Sequence, residues 1–438
     1  MNNFSVAEVI KFVRDNDVKF IRLAFCDIFG EMKNISIMPS ELPKAFDTGI
    51  PFDASAIKGF MNVEESDLFL VPDASTMAIL PWRPSQGGVI RFFCNIRMPD
   101  GRPFEGDGRN LLKQAVSYAA SKDYTIKVGT ECEFYLFELD EHGRPTRKPH
   151  DDCGYCDIAP LDKGENVRRE ICLTLEEMGI YPEMSHHEQG RGQHEIVFKY
   201  SEALKAVDNL VTFKSVVKVI AARHGLHASF MPKPLIGSSG SGLHINLSLF
   251  REHKNVFDMK GSTKGISESF VAGIMDCIEE ISVFTNPIKN SYARLGEYEA
   301  PRYVSWSCGN RSQLVRIPAA EGDLRRMELR SPDPACSSYI ALALLIYAGI
   351  EGIDRKAELD PPMNINLFEG GKETKSLRKL PKTLDEAIKK AASSQFVKAY
   401  LPASMLSKYL KYKKEESQKF TESIDAQGAE MDYYFNRL

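Results

Sequence analysis

Hydrophobic and polar positions alternate along most of the chain, and the period of the alternation changes from segment to segment. Residues Val6–Asp15 repeat with helical spacing and read as an opening amphipathic helix. Residues 18–27 alternate as a strand does, 28–31 supply a turn, and 32–37 complete a hairpin. Short β-like runs follow at 78–82 and 89–96 and end at the turn Pro99-Asp100-Gly101-Arg102-Pro103. That turn predicts a boundary between a small, mainly β unit at residues 1–104 and a larger α/β unit at 105–438. In the larger unit, helical periods at 109–122, 164–178, 201–224, 264–284 and 337–353 alternate with strands that carry acidic and basic residues. The Lys- and Glu-rich stretch 408–419 has the charge spacing of a solvated helix face.

At 438 residues the chain exceeds the size at which one hydrophobic core stops growing, which agrees with two units. A formal net charge of −4 gives no global pull toward nucleic acid or a membrane surface. The longest apolar run, 339–350, is too short to span a bilayer and is followed by Glu351. The first residues lack the basic and apolar regions of a signal peptide, and nine cysteines form no even framework, so a reducing cytoplasm is expected. Cys153 and Cys156 have CxxC spacing without a second pair and read as two ordinary thiols in a loop.

The chemistry begins at Glu131 and Glu133, in Thr130-Glu131-Cys132-Glu133-Phe134. A period of two puts both carboxylates on one strand face, where they repel unless a cation lies between them. Glu188 and Glu195, His244 in Gly240-Ser241-Gly242-Leu243-His244, and Glu328 extend the set. Five carboxylates and one imidazole suit a pair of hard divalent cations, Mg²⁺ or Mn²⁺. Arg311 and Arg316 lie nearby in sequence, and Arg326, Glu328 and Arg330 alternate on one face. Guanidinium, carboxylate and guanidinium together are equipment for phosphoryl transfer. No Walker loop or Rossmann fingerprint is present, so ATP is expected in an open cavity held by metals and arginines. His186, His187 and His194 read singly as hydrogen-bonded structural histidines, and Tyr433 and Tyr434 as packing or intersubunit residues.

Taken in order, these motifs resemble type I glutamine synthetases from end to end. The match rests on Phe52-Asp53-Ala54-Ser55-Ala56-Ile57-Lys58-Gly59-Phe60, Asp100-Gly101-Arg102-Pro103-Phe104-Glu105-Gly106-Asp107, the Glu131/Glu133 strand and the Glu188/Glu195 segment. Phe230-Met231-Pro232-Lys233-Pro234, the glycine-flanked His244, Asn290-Ser291-Tyr292 with Arg294, and Arg330-Ser331-Pro332-Asp333-Pro334 complete it. The resemblance implies an α+β fold: a small N-terminal β-grasp-like domain and a large C-terminal catalytic domain built on a curved antiparallel sheet. It implies ATP-dependent ligation of ammonia to the γ-carboxylate of L-glutamate through γ-glutamyl phosphate, in a homo-oligomer of two face-to-face hexameric rings. An alternative acceptor is a small organic amine, giving a γ-glutamylamide.

The same resemblance distributes roles. Glu133, Glu188 and Glu195 would hold the metal nearer the amino acid, and Glu131, His244 and Glu328 the one nearer ATP. Arg316 and Arg326 would contact ATP phosphates, and Arg311 would neutralise the transferring group. Asn246, Ser248 and Glu183 would meet the nucleoside. Arg294 and Arg330 would hold the α-carboxylate of glutamate, with Ser239 and Gly240 lining that pocket. Glu299 resembles the flap residue that closes over the intermediate. Asp53 and Tyr155 resemble members of an ammonium pocket, Asp53 reaching in from a neighbouring subunit. The chain departs from the family pattern at Ala56, where a second hydroxyl is usual, at Lys58 in place of an acid, and at Ser239 in place of an asparagine. Its flap approach, Gly296-Glu297-Tyr298-Glu299, is shortened. The segment around 364–368 lacks the tyrosine that enteric-type members adenylylate, and Asn62 stands where glutamine-inhibited members carry an arginine.

Overall fold

The computed structural model describes residues 4–83, 86–258, 265–421 and 426–438. The helix Val6–Asp15 starts at a capping box, in which the Ser5 hydroxyl accepts from the Glu8 amide and Glu8 accepts from the Ser5 amide. Strands β1 (Val18–Cys26), β2 (Met32–Ile37), β3 (Ile50–Asp53), β4 (Asp67–Pro72), β5 (Ala78–Ile79) and β6 (Gly88–Arg97) follow. They form one sheet in the order β2-β1-β6-β4-β3, with β5 also on β6. The β1–β6 pair is parallel and the others are antiparallel. The predicted hairpin is the β1–β2 pair, whereas the run at 78–82 yields only the two residues of β5. Strands β3 and β4 carry Pro51 and Pro72, which weaken a strand signature in sequence. β3 lies at the sheet edge and Pro72 ends β4, positions where a missing amide hydrogen is tolerated.

The larger unit is organised by β7 (Thr125–Leu139). Ile126, Val128, Thr130, Cys132 and Phe134 face the core, while Lys127, Gly129, Glu131 and Glu133 take the opposite face. Strands β8 (Pro145–Pro149), β9 (Pro182–His187), β10 (Gln193–Phe198), β11 (Ser201–Glu202), β12 (Leu226–Ser229), β13 (Leu243–Arg251), β14 (Lys254–Asn255), β15 (Trp306–Cys308), β16 (Val315–Ile317) and β17 (Met327–Leu329) complete it. The main path runs β15-β16-β17-β13-β7-β10-β9. All its pairs are antiparallel except β15–β16, a local departure from the expected antiparallel sheet.

Helices Gly108–Ala120, Glu165–Glu177, Ala203–Arg223, Ile266–Thr285 and Ser338–Asp354 correspond to the five predicted periods; Lys264, within the fourth, lies outside the described residues. Ser338–Asp354 is buried almost all round, and that explains its unbroken apolar run. It packs between Gly108–Ala120 and Ile266–Thr285. Among the described residues, no helix is long and apolar enough to cross a membrane. Arg109 ties the two units together. Its guanidinium meets Asp208 at 2.8 Å and Asp73 at 3.0 Å, and the Tyr339 hydroxyl donates to Asp208 at 2.6 Å.

Candidate active site

Strand register assembles the site. Glu195 on β10 stands opposite Glu133 on β7 and opposite His186 on β9. His244 on β13 stands opposite Glu131 on β7, and two residues on, Asn246 faces Glu328 of β17. Glu328 in turn faces Arg316 of β16. Directly opposed residues place their β-carbons about 5 Å apart, so these side chains converge in one row across the sheet. Glu131, Glu133, His186, Glu195, His244 and Arg316 of the row line a cavity of about 550 Å³, and Glu328 and Asn246 are buried behind them.

Three groups within the row bring ligand atoms to within 4.8 Å of one another: Glu131 with His244 and Glu328, Glu133 with Glu195 and His244, and His186 with Glu188 and Glu195. Burial, then the charge of Glu133, pushes Glu188 and Glu195 both up to about 8, with Glu195 adding to the effect at Glu188 and Glu131 at Glu195. Burial also works to raise Glu131, but the His244 ring 3.1 Å away and the Asn246 amide at 2.9 Å bring it down to about 2. An array of acids that resist ionising together is a fit for divalent cations, which would convert their mutual repulsion into attraction. The Nδ1 of His186, buried and without a hydrogen-bond partner among the described residues, adds a free donor atom.

That repulsion yields a measurable sign. For Glu188 and Glu195 the folded-state pKa lies above the unfolded value, so the metal-free fold holds protons that the unfolded chain releases. Their stabilising contribution is complete below about 4.5 and is lost as pH rises through about 8. The rise in melting temperature on adding Mg²⁺ or Mn²⁺ is therefore expected to be larger at pH 8.5 than at pH 5.5. Calorimetric scans with and without metal check this, and an increment independent of pH would count against a cation at these acids.

Neighbouring groups hold the acids in place. Glu133 accepts from the Gly242 amide at 2.8 Å and from Gln193 at 2.9 Å. A β-carbon at Gly242 would lie 2.6 Å from Arg294 Nη2, and one at Gly240 would lie 2.5 Å from the Pro232 carbonyl. Only glycine fits between the metal-type ligands and the arginine. Arg316 donates to Glu328 at 2.6 Å and Arg330 donates to it at 2.9 Å. Arg330 Nε is buried and unpartnered among the described residues, while Arg294 spends Nη1 and Nη2 on the carbonyls of Ser331 and Arg330.

Besides these, the cavity wall includes Tyr155, Ser239, Glu299, Arg311 and Arg326. The Tyr155 ring stands edge-on to His186, Arg311 is exposed, and Arg326 Nε donates to Asn246 at 3.0 Å. Four residues expected in the site stand elsewhere. Asn246 lies beneath the wall, spent between Glu131 and Arg326, and the buried Ser248 hydroxyl donates to the Arg325 carbonyl at 3.4 Å. Glu183 is exposed and lines a separate shallow cavity beside the helix Glu165–Glu177. Asp53 is exposed on the small unit, held low by the Ser55 hydroxyl and amide, in a cleft with Ala56 and Lys58. Within one chain Asp53 does not reach the acidic cavity.

His186 requires a correction. Read singly it looked structural, but the β9–β10 register places its Nε2 3.1 Å from Glu195 and its Nδ1 3.6 Å from Glu188. His187 and His194 lie outside the cavity wall: His187 bonds Asp151 at 2.9 Å and the Glu188 carbonyl at 2.7 Å, and His194 meets Arg168 at 2.8 Å. Gln193 and Gln189 also belong to the cavity wall. An amide gives no signal of its own in sequence, and only the fold brings Gln193 to Glu133 and the turn residue Gln189 to Glu299, its Nε2 2.9 Å away.

A small β-sheet unit joined to a large sheet bearing an acidic, arginine-rimmed cavity has the make-up of a metal-assisted phosphoryl-transfer enzyme. Comparison narrows the class. Residues 17–99 match the glutamine synthetase β-grasp domain and 105–433 the glutamine synthetase catalytic domain. The chain is 46% identical to a glutamine synthetase of Clostridium saccharobutylicum over 446 aligned positions, covering all of both chains. It is 47% identical to one of Methanosarcina mazei over 416 positions, 93% of each. Among solved structures, a GmaS complex with ADP superposes with a TM-score of 0.86 at 28% identity, covering 95% of this chain and 96% of that one. The chain belongs to the glutamine synthetase family.

Proposed function

We propose that the chain joins ammonia to the γ-carboxylate of L-glutamate at the expense of ATP. The observation that carries this reading is the cross-strand row of acids, His244 and arginines around one cavity. A carboxylate is a poor acyl donor because its leaving group would be oxide. The glutamate γ-carboxylate oxygen therefore takes the γ-phosphoryl of ATP, and ADP departs. Ammonia then attacks the acyl carbon, the C–O bond to phosphate breaks, and phosphate leaves with the electron pair. The nitrogen gives up its extra proton, a task for Asp53 of a neighbouring subunit.

Mg²⁺ or Mn²⁺ at Glu133, Glu188 and Glu195 and at Glu131, His244 and Glu328 would supply the positive charge that lets anion approach anion. Arg316 and Arg326 bind ATP phosphates and Arg311 offsets charge on the transferring group. Arg330, with its unused Nε, and Arg294 orient the α-carboxylate of glutamate beside Ser239 and Gly240. Tyr155 faces the ammonium side, and Glu299 covers the cavity against water, which would waste the acyl phosphate. Glu183, Asn246 and Ser248 are assigned to the nucleoside side, the last two as supports beneath the wall. Residues 1–104 and 105–438 divide the work, the first carrying Asp53 and the second everything else. A head-to-tail contact that brings Asp53 to the next subunit's cavity closes into rings, here two hexamers face to face.

The test is ADP release with glutamate as the amine is varied. Ammonium is expected to give the highest kcat/KM. Ala56→Ser should improve ammonium affinity several-fold, by on the order of 1 kcal/mol from one restored hydroxyl. A tenfold preference for methylamine, ethanolamine or a polyamine would move the reading to a γ-glutamylamide ligase.

A further inference from the structure

The flap Gly296-Glu297-Tyr298-Glu299 is folded tightly on itself. The Gly296 amide donates to the Ala300 carbonyl at 3.1 Å, and the Ala300 amide donates to the Glu297 carbonyl at 3.1 Å. Tyr298 has φ of 52°, a left-handed conformation that a bulky side chain adopts only when its surroundings hold it there. Lys233 lies against it. Its side chain is only 6% exposed, and its ammonium group has neighbours on the flap and on a second segment. Nζ donates to the Ser238 carbonyl at 2.6 Å, pairs with the Glu297 carboxylate at 2.9 Å and lies 4.5 Å from the centre of the Tyr298 ring.

Those partners belong to two different segments. Ser238 precedes Ser239, whose carbonyl accepts from the Tyr135 hydroxyl at 2.5 Å on the cavity wall. Glu297 and Tyr298 form the flap whose next residue, Glu299, spans the cavity mouth to Gln189 at 2.9 Å. We infer that Lys233 is a positioning residue that latches the flap to the 237–240 substrate loop through Glu297, so that occupancy of the loop and closure of Glu299 are coupled. The latch rests on the ligase reading, because what it protects is the acyl phosphate. With the latch loosened, water attacks the acyl carbon, phosphate leaves, and glutamate is regenerated while ATP has become ADP.

The experiment measures ADP and glutamine in the same reaction for the natural chain, Lys233→Met, Glu297→Ala and the double variant. The natural chain is expected to form one glutamine per ADP; if it forms none, the ligase reading fails before the latch is tested. Each single variant is expected to release ADP in excess of glutamine, on the order of fivefold at low ammonium, with a higher KM for glutamate. The double variant should do no worse than either single one, because both remove one interaction. Glu297 is 58% exposed, so Glu297→Ala keeps the test alive if Lys233→Met folds poorly. A ratio that stays at one in Glu297→Ala, or effects that add in the double variant, would overturn the latch. A role confined to stability would lower the melting temperature and leave the ratio at one.

Discussion

Glu133→Ala is expected to lower ATP-dependent turnover by about a thousandfold or more while leaving the metal-free fold as stable as before or more so. Losing a carboxylate from a catalytic cation removes several kcal/mol of charge stabilisation at the transferring phosphoryl group. Stability should move the other way. Glu133 is the leading charge that, after burial, raises Glu188 and Glu195, so its removal relieves repulsion from two buried acids, which offsets the loss of its bonds from Gly242 and Gln193 and of its charge near Arg294. Glu328→Ala should match the loss of turnover but not the gain in stability. It strips Arg316 and the buried Arg330 of their shared partner, and an uncompensated buried guanidinium costs about 3–5 kcal/mol. Single-turnover ADP release and denaturation of metal-free protein separate the two quantities. Turnover of Glu133→Ala within tenfold of the natural chain would mean that this acid holds no catalytic cation.

That contrast between two acids of one site also marks what a sequence can carry. Glu131 and Glu133 are legible because the strand period is two, and the β7 alternation places them together whatever lies across the sheet. Which residue faces them is a matter of register, and register is set by contacts distant in sequence. His186 therefore carries no sign in sequence of its place beside Glu195, and Asn246 none of its hydrogen bonds to Glu131 and from Arg326. The helices that were anticipated are long and periodic. Lys289–Arg294 and Gln395–Tyr400, six residues each, are too short to show a period, and tertiary packing determines them. Lys233 was visible within its motif, but its meaning depends on Glu297 sixty-four positions later, a pairing that the fold alone creates.

Arg109→Met is expected to cost about 3–5 kcal/mol of unfolding free energy. Burial alone would disfavour the charged guanidinium, but Asp208, and to a lesser degree Asp73, hold it firmly ionised, and its side chain is 5% exposed. Methionine fills much of the volume and supplies none of the charge. Asp208 and Asp73 then remain together without a guanidinium between them, Asp208 beside the Tyr339 hydroxyl and Asp73 beside Ser75 and Lys113. Arg109→Met with Asp208→Leu should recover part of the loss, since a buried pair replaced by apolar residues is far cheaper than a widowed charge. Urea denaturation of both variants measures the difference, and a loss below about 1 kcal/mol in the single variant would show that the network is solvated and contributes little. Asp73 belongs to the small unit, whereas Asp208 and Tyr339 belong to the large one, so the same substitution loosens the orientation of one unit on the other. If Asp53 acts from the small unit, that loosening reduces glutamine formation more than ADP release, a pattern that a simple loss of folded protein does not produce.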